Sequence, residues 1–209
     1  ISDAGLAHIR KLTKLESLSL YNTAIGDAGL THIGCLVGLV NLNLSRTRVS
    51  HIGFAKLSTL QNLEVLNLDA TKISKEANHF LSCFKRLKSL TPAPSFDDRG
   101  MQQLEHLENL ELLSLDNTKV TDAGLEHLKH INRITSIGLP SEITPAGFKH
   151  LANLTHLQYL FQWGIKEPDQ LLEAISGMTD LRYLSLNGGK ITARGLAALK
   201  NLTQLRKLS

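Results

Sequence analysis

The chain repeats one pattern every 23 or 24 residues, and that periodicity governs what it can fold into. A phrase of four leucines reads Leu12, Leu15, Leu18, Leu20. It returns as Leu36, Leu39, Leu42, Leu44, as Leu60, Leu63, Leu66, Leu68 and as Leu107, Leu110, Leu113, Leu115. Its first position steps through Leu12, Leu36, Leu60, Phe84, Leu107, Ile131, Leu154, Met178 and Leu202. A second phrase opens the chain as Ile1-Ser2-Asp3-Ala4-Gly5-Leu6 and recurs from Ile25, Val120, Ile143 and Ile191. About eight full repeats, with a half repeat at each end, place residues 1–209 in one elongated domain. A unit this short cannot bury its apolar side alone, so neighbours must stack.

Inside a unit two periods alternate. Leu18 and Leu20 interleave with Ser17 and Ser19, as a half-buried strand requires. A turn follows over residues 21–24, and Ile25 returns to the core. Ser2, Ser50, Ser74, Thr121, Thr144 and Thr192 sit where a helix N-cap belongs. Asp3, Asp27 and Asp122 come next, in the first turn, where the helix dipole favours negative charge. A glycine in the same turn (Gly29 and its equivalents) costs about 1 kcal/mol of helix propensity. It implies a close-packed position between helix and sheet. The expected class is α/β: a curved solenoid with parallel strands on the concave face and short helices on the convex face.

The L-x-x-L-x-L-x-x-[NT]-x-[IV] core resembles the leucine-rich-repeat superfamily over essentially the whole chain. The T-D-A-G-L-x-H-L tail is similar to the ribonuclease-inhibitor-like class, including the cysteine-containing repeats of F-box ubiquitin-ligase receptors. Two departures stand out. Thr23, Thr47, Thr71 and Thr118 replace the usual asparagine after the strand, and the cysteine of the cysteine-containing type is missing from that place. A hydroxyl can bond turn backbone groups, so the threonine column is expected to form a buried ladder. The resemblance implies a protein-interaction module. It leaves two alternatives: substrate-recognition repeats of a larger regulatory protein (a ubiquitin-ligase receptor or a secreted effector), or a purely structural segment.

Composition narrows the partner classes. The net charge is only +4, and the 23 basic residues are scattered, which argues against nucleic acid. Arg46, Arg48 and Lys72 form one small basic zone, and Arg182, Lys190, Arg206 and Lys207 another. No stretch approaches the roughly 18 apolar residues of a membrane span. Cys35 and Cys83 fall two repeats apart, too far to bridge, and read as free thiols suited to a reducing compartment. The chain starts at Ile1, with no leader and no polar cap, so a fragment of a longer array is expected, with end-to-end self-association as one way to cover the ends.

Strand residues that alternate with the core leucines should face the concave side. Most are small and polar, but Tyr159, Phe161, Trp163 and Tyr183 converge on the seventh and eighth repeats with Arg182 beside them. Exposed aromatics with arginine are the types enriched at binding hot spots, so these five are the candidate partner-binding residues. The seventh repeat is irregular, with Gln162 in a core leucine position and Leu171 in place of glycine. A register slip by one would turn Phe161 and Trp163 inward. The proline-stiffened turns 91–95 and 139–142 read as tolerated one-residue deletions. His8, His32, His127 and His150 share one helix position, but neighbouring helices lie roughly 8–10 Å apart, too far for a shared zinc ion. His127 and His130 alone make a weak pair. Asp69 and Asp116 lack a base or metal partner, and no nucleophile or phosphate-loop motif appears. The expectation is a binder of another protein, with no enzymatic activity, cofactor, metal or small-molecule substrate.

Overall fold

The computed structural model describes residues 1–209. Nine short strands form one parallel sheet in sequence order: β1 Ser17–Ser19, β2 Asn41–Asn43, β3 Val65–Asn67, β4 Ser89–Thr91, β5 Leu112–Ser114, β6 Ser136–Leu139, β7 Tyr159–Trp163, β8 Tyr183–Asn187 and β9 Lys207–Leu208. The register aligns equivalent repeat positions. Leu18, Leu42, Leu66, Leu90, Leu113, Ile137, Leu160, Leu184 and Leu208 stand in one row. That row points away from the open strand face, into a continuous cluster of 51 buried apolar residues that runs between sheet and helices. The end layers are more open, with Leu12 at 52%, Leu196 at 54% and Leu208 at 45% exposure.

The helices are short because a 24-residue unit must also hold a strand and two turns. Several run on into a 3-10 turn, as His51–Phe54 does into Ala55–Thr59. Such segments are too short to be stable alone, and packing and capping hold them. Five of the six expected caps form: Ser2, Ser50, Thr121, Thr144 and Thr192 each accept from an N–H of the first helical turn. At Ser74 no such bond forms, and its hydroxyl is buried.

The aspartates do more than answer the helix dipole. Each reaches across to the cap of the next repeat. Asp98 accepts from the Thr121 N–H at 2.8 Å and from its hydroxyl at 2.7 Å. Asp27 takes the same pair from Ser50, Asp122 from Thr144 and Asp169 from Thr192, while Asp3 accepts from the Gly26 N–H. The Thr192 hydroxyl, followed by its N–H, holds the Asp169 carboxyl below the usual carboxylate range. Because that shift is downward, the stabilisation is present at neutral pH and is lost as acid protonates the carboxylate.

This clamp explains the glycines, and it corrects the expectation that they sit between helix and sheet. A Cβ on Gly29 would meet Asp3 Oδ1 at 2.6 Å, and those on Gly53, Gly124, Gly147 and Gly195 would meet Asp27, Asp98, Asp122 and Asp169 closer still. The glycine makes room for the carboxylate of the preceding repeat. Where the aspartate is replaced, the glycine of the next repeat goes too: His51 is followed by Ala77, and Pro145 by Leu171. Aromatic packing fills the first of these junctions, with Phe54 at 6.0 Å from Phe84 and 6.4 Å from Phe80. The second keeps a pocket of about 140 Å³ lined by Thr144, Pro145, Phe148, Ile165 and Glu167. Gly100 is the exception: Lys75 precedes it, and the Phe96 ring and Asn78 fill its space.

The threonine column also differs from expectation. Thr23, Thr47, Thr71 and Thr118 donate to the carbonyls of Leu20, Leu44, Leu68 and Leu115, three residues upstream in their own repeats, at 2.6–2.8 Å. Each hydroxyl satisfies its own turn and links no neighbours. The convex histidines are not all idle: His127 Nδ1 lies 2.5 Å from Glu105 of the repeat before, and that contact lowers the Glu105 pKa. Cys35 and Cys83 are free thiols.

Substituting Gly124→Ala forces a methyl group against the Asp98 carboxylate and should lower unfolding stability by about 1–3 kcal/mol. Gly5→Ala, where nothing lies nearer than 3.6 Å, should cost nothing or gain up to about 1 kcal/mol from helix propensity. Urea titration of both variants checks the pair.

Candidate interaction surface

The aromatic residues lie on the two longest strands. β7 alternates cleanly: Tyr159 is exposed, Leu160 buried, Phe161 half-buried, Gln162 buried and Trp163 exposed. The register does not slip. Tyr159 pairs with Tyr183, Phe161 with Ser185 and Trp163 with Asn187, so β7 and β8 carry their odd-numbered side chains onto the open face. Trp163 is 53% exposed and Gln162 only 1%.

Three of the rings cluster. Tyr183 lies 5.1 Å from Phe161 and 6.3 Å from Tyr159, centroid to centroid. Trp163 is further along β7, outside ring contact, and forms a separate apolar projection. The cation that stacks on the group is Lys207, 4.9 Å above the Tyr183 ring, a geometry worth about 0.5–1 kcal/mol at an exposed site. Arg182 is exposed, immediately before β8, and stacks on no ring. It marks the rim of the patch. The Lys207 ammonium, then the Ser209 hydroxyl, hold the Tyr183 phenol below its ordinary range. In the sequence Lys207 belongs both to a basic zone and to the outward-facing column of alternate strand residues. Its place in the Tyr159–Tyr183 column of alternate strand residues was the signal for this contact.

Gln162 occupies the row of Leu139 and Leu186. Its Nε2 donates to the Pro140 carbonyl at 3.4 Å, and its Oε1 is buried without a partner. Leucine would fit that row better, so the glutamine weakens the core beneath the aromatic patch.

Most of the remaining open face is small, polar and partly acidic, with Tyr21, Val65 and Leu112 as its exposed large apolar side chains. Asp116 accepts from the Ser114 hydroxyl at 2.7 Å and lies over Gly138, where a side chain would not fit. At the shortened turns Ala93 and Pro140 are buried, as Ser45 is in the same column. At the other end, Asn22, Arg46, Arg48, Asp69 and Asn117 line an open groove of about 740 Å³. Arg46 there stacks 5.8 Å from the Tyr21 ring, and Asp69 lines the same groove. No three histidine, cysteine or carboxylate side chains gather in a metal-binding arrangement. No helix is long and apolar enough to cross a membrane.

One parallel strand per repeat, an unbroken leucine row and short helices behind it form an architecture shared with solved structures. The chain is a leucine-rich-repeat protein. It superposes on an internalin, inlF, from Listeria monocytogenes with a TM-score of 0.74 and 28% identity, over 96% of this chain and 55% of that one. Internalin C2 from the same organism matches at 0.70 and 21% identity, over 100% of this chain and 84% of that one. The plant peptide hormone receptor RGFR1, solved in complex with RGF2, matches at 0.60 and 21% identity, over 97% of this chain and 33% of that one. The leucine-rich-repeat chain thus spans about half the length of inlF. No protein-family model and no curated protein matches it.

Gln162→Leu should raise unfolding stability by about 1–2 kcal/mol, since it removes an unsatisfied buried amide, and chemical denaturation reads that gain. Lys207→Met should let the Tyr183 phenol titrate at higher pH, which NMR of ring-labelled tyrosine follows directly.

Proposed function

We propose that this leucine-rich-repeat chain holds a protein partner against its open strand face, anchored by Tyr159, Phe161, Trp163 and Tyr183 with Arg182 at the rim. The observation that carries this reading is the gathering of aromatic side chains on β7 and β8, with Trp163 at 53% and Tyr159 at 40% exposure, on a sheet face whose other side chains are mostly small and polar. Water gains nothing from large apolar rings held in the open, whereas a partner that covers them gains contact area at little entropic cost. The residues gathered there supply contact rather than chemistry, which favours binding over catalysis. Similar repeats in internalins and in a peptide hormone receptor support a protein-interaction role in general. The chain spans only a third of that receptor, which fits recognition repeats within a larger protein.

Trp163→Ala should cost about 2 kcal/mol or more in partner binding while leaving circular dichroism and the denaturation midpoint unchanged. Affinity capture with wild type and with a Tyr159, Trp163 and Tyr183 triple-alanine variant, followed by calorimetry on the recovered protein, tests this. Equal binding by the folded triple variant overturns the assignment of the site.

A further inference from the structure

From β3 to β7 one column of the strand face alternates with a period of two strands. Val65, Leu112 and Tyr159 are 38%, 40% and 40% exposed. Ser89 stands between the first two and Ser136 between the last two, as the register places them. Apolar ridges therefore recur every second strand, about 9.4–9.8 Å apart, with a small hydroxyl residue at the bottom of each gap.

That spacing selects the backbone of whatever fills it. A polyproline-II chain advances about 9.3 Å per three-residue turn, and every third side chain points the same way. An extended β-strand brings a side chain to one face every 6.6–6.8 Å or so, and an α-helix does so about every 5.4 Å. Both would press side chains onto the ridges as well as into the gaps. Charge adds a direction. Asp69 and Asp116 flank the column at β3 and β5, and Glu111 lies exposed beside Leu112. Glu64 is already paired with Lys88 at 2.8 Å. Around Tyr183 the order reverses, because Arg182, Arg206 and Lys207 form no ion pair.

We infer that the strand face takes a polyproline-II segment of a protein partner, with an apolar side chain at every third position filling the gaps above Ser89 and Ser136. The segment carries a lysine or arginine at its β3–β5 end and a carboxylate at its β8–β9 end. This rests on the strand face being the binding surface, and it adds the conformation, spacing and polarity of the bound chain.

Trp163 is the only tryptophan in the sequence, so its emission reports on the face directly. The probe is a synthetic peptide of Leu-Pro-Pro units with an arginine at the N-terminus and a free C-terminal carboxylate. One control of the same length places leucine at every second position, and the other carries a glutamate at the N-terminus and an arginine amide at the C-terminus in place of the arginine and the free carboxylate. The expected result is saturable binding of the three-residue-spaced peptide by calorimetry and Trp163 emission, with each control weaker by about tenfold or more. Ser89→Leu with Ser136→Leu fills the gaps and should abolish binding. Should that pair fail to fold, Leu112→Ser removes the central ridge and should weaken binding about tenfold. Equal binding of the controls, no binding of any peptide, or undiminished binding to the gap-filled variant overturns the inference. A protein partner lost with Trp163→Ala but kept by the gap-filled variant leaves the binding surface standing and removes the polyproline segment. A partner indifferent to both removes the two together.

Discussion

At five of the eight helix junctions, stacking rests on a carboxylate that belongs to one repeat and serves the next. Asp27, Asp98, Asp122 and Asp169 each take two hydrogen bonds from the following cap and Asp3 takes one, in space that only a glycine leaves open. The arrangement sets the distance between neighbouring helices without a large side chain between them. Hydrogen bonds to a charged acceptor are stronger than neutral ones, which suits helices too short to persist alone. The sheet needs no such device, because parallel pairing at matched positions already fixes the strand spacing.

Most of the architecture was legible in the leucine spacing, since a 23- or 24-residue period with alternating Leu18 and Leu20 leaves only stacked strands and short helices. The caps were legible for the same reason, as hydroxyl residues at a fixed offset. What escaped was anything that joins residues one repeat apart. Asp3 and Gly29 are 26 positions apart, and only the paired loss of aspartate at His51 and Pro145 with glycine at Ala77 and Leu171 betrays their contact. The threonine column misled for the converse reason. A repeated position looks like a ladder, but a hydroxyl with a carbonyl three residues away is satisfied before it reaches a neighbour.

The aromatic patch was readable because Leu157 and Leu160 keep their register through an irregular repeat, and the structure holds β7 in that register with Gln162 buried. Its internal arrangement was not. Which rings touch, and that Lys207 rather than Arg182 stacks on Tyr183, depends on how side chains from adjacent strands lean together. Val65 and Leu112 stand in the strand-face column by sequence, but a single exposed aliphatic is ordinary and only their alternation with Ser89 and Ser136 carries information.

The junction at Pro145 has a mechanical side. There the sheet continues unbroken from β6 to β7, while behind it the carboxylate tie is missing and a pocket of about 140 Å³ remains. A strip fastened along its front bends more readily where its back is unfastened than where the tie is present. Adjusting the arc to an object of different radius there stretches no hydrogen bond of the clamp, and the bend falls directly behind the strand that carries Trp163. Of the three junctions without the tie, at His51, Lys75 and Pro145, this one alone lies behind the strand of Trp163, so a change of curvature there would shift the largest exposed ring against the repeats before it.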